Sequence, residues 1–385
     1  MLTEAQVALR DEARQFAHDV VLPVANELDP QQAEIPQSLL DELAARGYFG
    51  IMIDKEHGGL GLGAFEYCLV TEELARAWMS VASVIARANG TGSMVPDLDE
   101  RADILRRQAK GTFVTAGAFS EPEAGSDLAN VQTRAERDGD DWILTGHKRW
   151  CGWALASDAI MVLARTGPDR RGDLDVFLVE KERGEFPEGM TGTTIPKIGY
   201  HGILSWNLEL DGVRVPNSRV LVSADGKTGS GFSEFAKLIN WGRLHTAARA
   251  TGVARGALED ATLYARRRVQ FGKEIGTFQG VKFKLADMAT QVAAARSLWH
   301  DAARLEDSGQ PSNQQCSMAK LFASEMAERV ASDALQIYGG NGYTTENAIE
   351  RYWRDARLTQ IFEGTSEIQR TLIARSQLAS VDHLV

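Results

Sequence analysis

The spacing of apolar residues changes twice along the chain, and this change limits the folds available to it. Residues 3 to about 111 show helical spacing, as at Leu39, Leu40 and Leu43. From about 112 to 228, short apolar runs alternate with Asp-Gly, Thr-Gly and Gly-Pro turn signals, a pattern typical of β-strands. After Gly231 the helical spacing returns. This order predicts a helical N-terminal domain, a central β domain and a C-terminal helical bundle.

Two apolar stripes give the strongest helix signals in the C-terminal part. The first stripe consists of Val281, Leu285, Met288, Val292, Ala295 and Trp299. The second consists of Met318, Phe322, Met326, Val330, Ala334 and Ile337. Because side chains three or four positions apart share one helix face, each stripe is interpreted as bundle core rather than as a ligand pocket.

The composition argues against some classes of protein. The chain has 42 basic and 53 acidic residues, a formal net charge of −11, which disfavours a nucleic-acid-binding surface. The three cysteines are widely separated and the seven histidines lack metal-ligand spacing, so we expect neither a disulfide framework nor a metal site. The N-terminus begins as a polar helix, and no apolar run reaches membrane-spanning length. We therefore expect a cytoplasmic protein with no membrane partner.

One carboxylate lies at a predicted joint between two helices, in the segment from Phe362 to Glu367. Gly364 would end the first helix and let backbone approach a ligand closely. Thr365 would cap the helix that follows. Glu363, directly before this glycine, is therefore a candidate general base beside a binding site. From spacing alone, a solvated loop residue is the commoner interpretation of such a glutamate.

Three segments of the chain resemble signatures of the acyl-CoA dehydrogenases. Residues 362–369, Phe-Glu-Gly-Thr-Ser-Glu-Ile-Gln, resemble the catalytic segment of that family. Residues 118–127 resemble its first signature, and residues 336–343, followed by Glu346, Arg351 and Asp355, resemble its second. The resemblance extends from the N-terminal helices to about residue 378. It implies a multidomain α+β fold with a helical domain at 1–111, a β-barrel-like domain at 112–228 and a four-helix bundle at 229–385.

The resemblance also implies a reaction. The family removes a proton from the carbon next to a thioester and transfers a hydride from the next carbon to FAD, which converts an acyl-CoA to the trans-2-enoyl-CoA. Glu363 matches the family's base. Some branches carry the base on the first long C-terminal helix, immediately before an arginine. Here Gly242 precedes Arg243, so Glu363 has no rival carboxylate at that position.

Two sets of ligand-binding residues follow from the same resemblance. The residues matched to FAD contacts are Phe119, Ser120, Gly125, Ser126, Trp150, Gly152, Arg268, Phe271, Phe278, Gln279, Gln336, Gly339, Gly340, Thr365 and Glu367. The residues matched to substrate contacts are Ser126, Asn240, Arg243 and Gly364. Those between 268 and 340 are implied to reach FAD across a subunit boundary, in a homotetramer.

One departure from the family pattern leaves other functions open. The family usually has Trp-Ile-Thr-Asn where this chain has Trp150-Cys151-Gly152-Trp153, so a hydroxyl that would face the flavin is missing. The expected electron acceptor is an electron-transfer flavoprotein. The alternatives are a dehydrogenase of carrier-protein-bound acyl groups, a flavin oxidase or monooxygenase on the same fold, and, as the least favoured case, a binding protein without activity.

Two arginines in the N-terminal part bear on the acyl tail. Arg76 and Arg87 lie in the stretch that lines the far end of the acyl cavity in the family, and the glutaryl-CoA branch has an arginine in an equivalent place. An arginine on such a helix more often pairs with a neighbouring acid such as Glu72 or Glu73. We therefore expect a short or branched, uncharged acyl-CoA, with a dicarboxylyl-CoA as the alternative.

Overall fold

The computed structural model describes residues 1–89, 95, 98–170, 172–221 and 231–380 of the chain. Its N-terminal part is helical, as predicted. The helices are α1 (Glu4–Phe16), α2 (Leu22–Leu28), α3 (Gln37–Ala45), α4 (Ala64–Ala77), α5 (Met79–Ile85) and α6 (Leu98–Ala109). A capping box between Thr3 and Gln6 starts α1.

The central part is a mixed β-sheet. Its strands are β1 (Thr115–Ala118), β2 (Arg134–Asp138), β3 (Asp141–Gly152), β4 (Ala159–Arg165), β5 (Leu174–Glu180), β6 (Met190–Thr194), β7 (Ser205–Pro216) and β8 (Val220–Leu221). The strand order is β6-β7-β3-β2-β4-β5-β8, and β1 pairs with β4 in parallel.

The expectation of a barrel-like β domain needs correction. Within the described residues, the strand order starts at β6 and ends at β8 without a pairing between these two strands. The two halves of the sheet meet where β2 runs parallel to β4, and that contact has a single register pair, Arg134 with Arg165. Because the end strands β6 and β8 do not pair within the described residues, the sheet is open. A β domain could be predicted from the strand pattern, but its closure could not.

The C-terminal part is helical again. It begins with α7 (Gly231–Arg267), continues through a short hairpin of β9 (Val269–Gln270) and β10 (Lys273–Glu274), and ends with α8 (Gln279–Asp307), α9 (Asn313–Tyr338), α10 (Ile349–Leu358) and α11 (Ser366–Ala379). Most residues of both apolar stripes lie in the core as predicted, with Trp299 and Met326 fully buried. Val281, Leu285, Met318 and Phe322 are only half-buried, and the last two line a surface pocket. α7 packs against α8 and α9, and α10 and α11 pack against α9.

The N-terminal and C-terminal helices share one hydrophobic core. α4 crosses α7 closely at Gly252, where a Cβ atom would overlap the carbonyl oxygen of Glu72. This close crossing brings the N-terminal helices next to the α7 segment that carries Gly242 and Arg243. The domain boundaries at 111/112 and 228/229 stay predictions, and the second lies outside the described residues. None of the helices in the described part is both long enough and apolar enough to cross a membrane.

Candidate active site

Glu363 lies in the loop between α10 and α11, in an uncommon backbone conformation. Its φ is 56° and that of Gly364 is 84°, so two successive residues are left-handed. For a residue with a side chain, this conformation costs about 1–2 kcal/mol unless the surroundings hold it. The carbonyl oxygen of Gly364 accepts hydrogen bonds from Lys320 Nζ at 2.6 Å and from Gln369 Nε2 at 3.0 Å. The loop is therefore fixed by contacts within the chain.

Glu363 directs its carboxylate toward α7. Its Oε1 accepts a hydrogen bond from Arg249 Nη2 at 3.2 Å, and the side chain is 36% exposed. A Cβ atom at position 242 would overlap Glu363 Oε2. The two positions at which the family carries its base thus face the same space. The absence of a side chain at Gly242 leaves that space to Glu363.

Arg249 was not identified from the sequence, although it is the cation that holds Glu363. Its side chain is 2% exposed and also donates to Ser83 Oγ at 2.7 Å and to Thr246 Oγ1 at 2.9 Å. Its guanidinium carbon lies 4.6 Å from the centroid of the Phe362 ring. A helical signal was available in the sequence, because residues 242 and 249 are seven positions apart on one face of α7.

An aromatic wall lies beside these groups. The hydroxyl group of Tyr67 and Nδ1 of His245 are 2.9 Å apart, and the ring of Trp241 stacks on His245 with centroids 5.5 Å apart. Burial, reinforced by the charge of Arg249, lowers the pKa of His245 well below its usual range. This histidine is therefore neutral at pH 7. The sequence showed only that the histidines lack metal-ligand spacing, and it gave no sign that His245 lies at this wall.

A second cation lies under the Glu363 loop. Burial lowers the pKa of Lys320 to about 8, and the nearby carboxylate of Glu363 opposes this shift. At pH 7 Lys320 still carries its proton and binds the Gly364 carbonyl oxygen as a charged donor. The apolar stripe that includes Met318 and Phe322 gave no indication of this buried lysine.

The two predicted substrate residues on α7, Asn240 and Arg243, differ in how far their side chains are held by the rest of the chain. Asn240 is buried and donates to Ser312 Oγ at 3.2 Å, so its amide is held by the protein itself. Arg243 is partly buried; its Nε lacks a hydrogen-bond partner in the described part of the chain, and burial lowers its pKa. Arg243 is thus the more available of the two for a ligand.

The first set of predicted FAD residues lies on the β domain. Phe119, Ser120, Gly125 and Ser126 belong to the loop that follows β1, and the carbonyl oxygen of Ser120 accepts from the backbone of Arg149 at 2.9 Å. The loop is thereby tied to β3. Gly125 faces open space, with nothing within 4 Å of the position of a Cβ atom.

The end of β3 completes this first set. Trp150 has a φ of 65° and is 56% exposed, so its indole projects from the strand. Two residues later, Gly152 ends the strand, and a Cβ atom there would lie 3.0 Å from Arg87 Nη2. An exposed indole next to an open glycine loop suits the flat, largely apolar ring system of a flavin.

The second set of predicted FAD residues lies around a separate groove. Phe271 and Gly272 form the turn of the β9–β10 hairpin with φ of 51° and 76°, the signature of a type I′ turn, and Phe271 is 93% exposed. Together with Phe278 and Gln336, Phe271 lines a groove of ≈ 510 Å³. Of the described residues that surround Glu363, none lines this groove.

The remaining members of the second set flank the same groove. Arg268 and Gln279 are exposed on either side of the hairpin. Gly339, with a φ of 58°, ends α9, and Gly340 faces open space. Exposed aromatic rings, an arginine and open backbone are compatible with a nucleotide. The structure therefore places most of the predicted FAD residues in two regions, one at the loop after β1 and the end of β3, and one at this groove.

The N-terminus of α11 is already capped by its own side chains. Thr365 accepts a hydrogen bond from the backbone N–H of Ile368 at 3.3 Å. Hydrogen bonds from its own backbone amide and from Thr365 lower the pKa of Glu367. A diphosphate would have to share or replace these bonds, so the FAD contacts of Thr365 and Glu367 stay predictions.

Family models for all three parts of the acyl-CoA dehydrogenase fold match the chain. "Acyl-CoA dehydrogenase, N-terminal domain" matches residues 3–98, "Acyl-CoA dehydrogenase, middle domain" residues 116–213, and "Acyl-CoA dehydrogenase, C-terminal domain" residues 229–378. Among curated proteins, (2S)-methylsuccinyl-CoA dehydrogenase of Cereibacter sphaeroides is 39% identical over 389 residues, covering 98% of this chain and 70% of that protein.

Solved structures agree with these matches. Butyryl-CoA dehydrogenase from Megasphaera elsdenii has a TM-score of 0.91 at 33% identity, covering 98% of this chain and 99% of that one. A chain in the structure described as "Electron transferring flavoprotein of Acidaminococcus fermentans" has a TM-score of 0.91 at 34% identity, covering 98% and 99%. With these matches over nearly its whole length, the chain belongs to the acyl-CoA dehydrogenase family of oxidoreductases.

Proposed function

We propose that the protein oxidises an acyl-CoA thioester to the trans-2-enoyl-CoA, with FAD as cofactor and Glu363 as the base. The observation that carries the proposal is the carboxylate of Glu363, held by Arg249 at 3.2 Å in the space that Gly242 leaves free. A base that is oriented before the substrate arrives loses little entropy at the moment of reaction.

The residues around the base have separable roles. Glu363 accepts the proton from the carbon next to the thioester. Arg249 keeps the carboxylate aimed at that carbon, and its own orientation is fixed by Ser83 and Thr246. The aromatic wall of Tyr67 and Trp241 excludes water from one side, which strengthens electrostatic interactions within the site.

The cofactor is implied by the family, and the exposed indole of Trp150 and the open backbone at Gly125 fit its ring system. When bound, FAD would accept the hydride from the β-carbon. We propose that Trp150, Gly152 and the loop from Phe119 to Ser126 hold the isoalloxazine ring. The hairpin residues Arg268 and Phe271 would bind the FAD of a second copy, in a homotetramer.

The electron acceptor and the acyl group are further parts of the proposal. A chain from a structure described as an electron transferring flavoprotein is similar to this one, which supports an acceptor of that kind. The names of the relatives include both a dicarboxylyl substrate, methylsuccinyl-CoA, and an uncharged one, butyryl-CoA. Neither name decides the acyl group of this enzyme.

The direct test is anaerobic titration of the purified flavoprotein with a panel of acyl-CoA thioesters. We expect FAD to co-purify and its visible absorbance to bleach with at least one acyl-CoA, with formation of the 2-enoyl product. A protein that binds FAD and bleaches only with a carrier-protein thioester would move the substrate to that class. Rapid reoxidation of the reduced protein by oxygen would indicate an oxidase or monooxygenase. Failure to bind FAD would contradict every flavin-dependent function.

A further inference from the structure

The two arginines near the expected acyl tail have opposite environments. Arg76 Nε donates to Glu259 Oε2 at 2.8 Å, and its Nη2 lies 3.7 Å from Asp260 Oδ1. The expected structural pairing of Arg76 with an acid is therefore present, although Glu259 takes the place of Glu72 or Glu73. Those two carboxylates are bound by other arginines on α7 and α8. The charge of Arg76 is therefore balanced within the chain, although its Nη1 lacks a hydrogen-bond partner among the described residues.

Among the described residues, Arg87 has no such partner. It lies two residues beyond the end of α5, and its Nε is buried without a hydrogen bond to any of them. In the part of the chain that the structure describes, no carboxylate lies within 4.0 Å of its guanidinium nitrogens. A partly buried guanidinium without an anion is costly, and a structural role normally supplies one. Since the described residues supply no anion, a ligand is the partner that we consider for Arg87.

The position of Arg87 connects it to the predicted active site. Ser83, one turn earlier on the same segment, accepts a hydrogen bond from Arg249, which holds Glu363. On the other side, Arg87 Nη2 lies 3.0 Å from the position of a Cβ atom at Gly152. Arg87 thus lies between the elements that carry the base and the end of β3, where the flavin ring is proposed to bind.

Gly152 and Arg87 are sterically matched. The family usually has threonine where this chain has Gly152. A Cβ atom only 3.0 Å from a guanidinium nitrogen would crowd it, since van der Waals contacts between such atoms are normally about 3.5 Å or longer. Gly152 therefore leaves room for the guanidinium of Arg87, which a side chain at this position would displace by a few tenths of an ångström.

The charged groups near Arg87 include Lys197. Burial, and to a smaller extent the guanidinium of Arg87, lower the pKa of Lys197 to about 8, with the carboxylates of Asp355 and Glu34 opposing the shift. Asp355 itself accepts from the backbone of Tyr200 at 2.6 Å. Arg249 is the nearby cation on the other side, and it is engaged with Glu363. The surroundings therefore leave Arg87 in need of an anion.

We infer that the acyl group of the substrate ends in a carboxylate and that Arg87 binds it. The inference rests on the proposed acyl-CoA oxidation and specifies its substrate as a dicarboxylyl-CoA. An uncharged tail would displace water from Arg87 without replacing the lost hydrogen bonds. A carboxylate accepts two parallel N–H bonds from one guanidinium, which satisfies both groups. The inference replaces the sequence-based expectation of an uncharged tail.

The test compares acyl-CoAs matched in chain length, succinyl- with butyryl-CoA and glutaryl- with pentanoyl-CoA. For the wild type we expect kcat/KM to favour the dicarboxylyl member of at least one pair by about 30-fold or more. Arg87→Met should lower this ratio by about 30-fold or more, mainly through the dicarboxylyl substrate, whereas Arg87→Lys should restore part of it. Arg76→Met is the matched control, since it removes a paired arginine and should lower Tm without changing the ratio.

Other results would overturn the inference. If the wild type prefers the uncharged substrates, butyryl- and pentanoyl-CoA, the inference is overturned without any variant. This result can be obtained even if Arg87→Met fails to fold. An unchanged ratio of kcat/KM values in Arg87→Met would also overturn the inference. An equal loss of kcat/KM for both substrates, together with a shifted flavin absorbance, would assign Arg87 to the cofactor instead. If flavinated wild type oxidises neither member of any pair nor any other acyl-CoA, the proposed function itself fails, and this outcome is distinguishable from a preference for uncharged tails.

Discussion

The Glu363 loop and the β9–β10 hairpin both carry predicted site residues. In the loop, other residues of the chain hold these groups by hydrogen bonds, whereas at the hairpin a predicted site residue is exposed. In the loop, Arg249 holds the carboxylate at 3.2 Å and Lys320 holds the Gly364 carbonyl oxygen at 2.6 Å. At the hairpin, Phe271 is 93% exposed. The loop is complete within one chain, whereas the hairpin presents an aromatic side chain to solvent.

This difference corresponds to two functions, orienting a catalytic base and binding a cofactor or a partner subunit. A catalytic carboxylate has to be oriented before its substrate binds, because misplacement by about 1 Å can cost two orders of magnitude in rate. An exposed aromatic side chain gains free energy only when something covers it. We propose that FAD and a second copy of the chain cover the hairpin. Changes in the loop should therefore alter turnover, and changes in the hairpin should alter cofactor retention and assembly.

The largest effect is expected from Glu363→Gln. The amide keeps the shape of the side chain but cannot accept the α-proton, so the rate of flavin reduction should fall by about 10²–10⁴-fold, with FAD content and Tm unchanged. Anaerobic stopped-flow measurement of flavin absorbance checks this. Glu136→Gln, an exposed glutamate on β2, is the control and should keep the wild-type rate. A Glu363→Gln enzyme that retains a third of the rate would show that another carboxylate is the base.

Gly242→Ala should separate activity from stability. The added methyl group would overlap Glu363 Oε2 and displace the carboxylate, so kcat should fall about 10- to 100-fold. Alanine is the better helix former, and the atom it meets is the end of a flexible side chain, so Tm should not fall. Thermal unfolding and steady-state kinetics of the same preparation check both statements. Wild-type turnover in this variant would mean that Glu363 does not work from the position described here.

At the hairpin, Arg268→Ala should weaken FAD binding and assembly together. Losing one charged donor to a phosphate should raise the FAD dissociation constant about tenfold or more, with little effect on kcat when FAD is saturating. Light scattering after size-exclusion chromatography, with flavin absorbance, measures both. Arg137→Ala, at an exposed site on β2, is the control. A fully flavinated variant of unchanged assembly size would contradict the cross-subunit assignment.

The smallest effect concerns pH and Lys320. Burial lowers the pKa of Lys320 to about 8, so the ammonium that binds the Gly364 carbonyl oxygen is present below that pH and lost above it. Between pH 7 and 9, kcat should therefore fall about threefold, as a charged hydrogen bond becomes a neutral one. Lys320→Met should have, at both pH 7 and pH 9, the lower kcat that the wild type shows at pH 9. Its kcat should not change across this pH range.

Lys181 provides the control for the pH effect. Burial also lowers its pKa to about 8, but it donates to carbonyl oxygens of Leu155 and Ser157 in the β domain. Lys181→Met should therefore keep the wild-type fall in kcat between pH 7 and 9. A Lys320→Met profile that still falls like the wild type would assign the effect to another group.

The family and the layout of the molecule could be predicted from the sequence. Helix periodicity, as at Met288 and Trp299, depends on neighbours three or four positions away, and both residues lie in the core as predicted. The family followed from continuous motifs such as residues 362–369, and the family matches confirm it. In both cases the information lies within one stretch of chain.

The sequence alone did not decide how the site is assembled. Arg249 meets Glu363 although 114 positions separate them, and Arg87 meets the end of β3 from the N-terminal helices. Whether an arginine is paired with an acid, as Arg76 is, or lacks one among the described residues, as Arg87 does, depends on which helices cross. Closure of the sheet would likewise need a pairing between its two end strands, β6 and β8, and the described residues show none. These features arise from packing between segments far apart in the chain, and the tertiary structure is what brings those segments together.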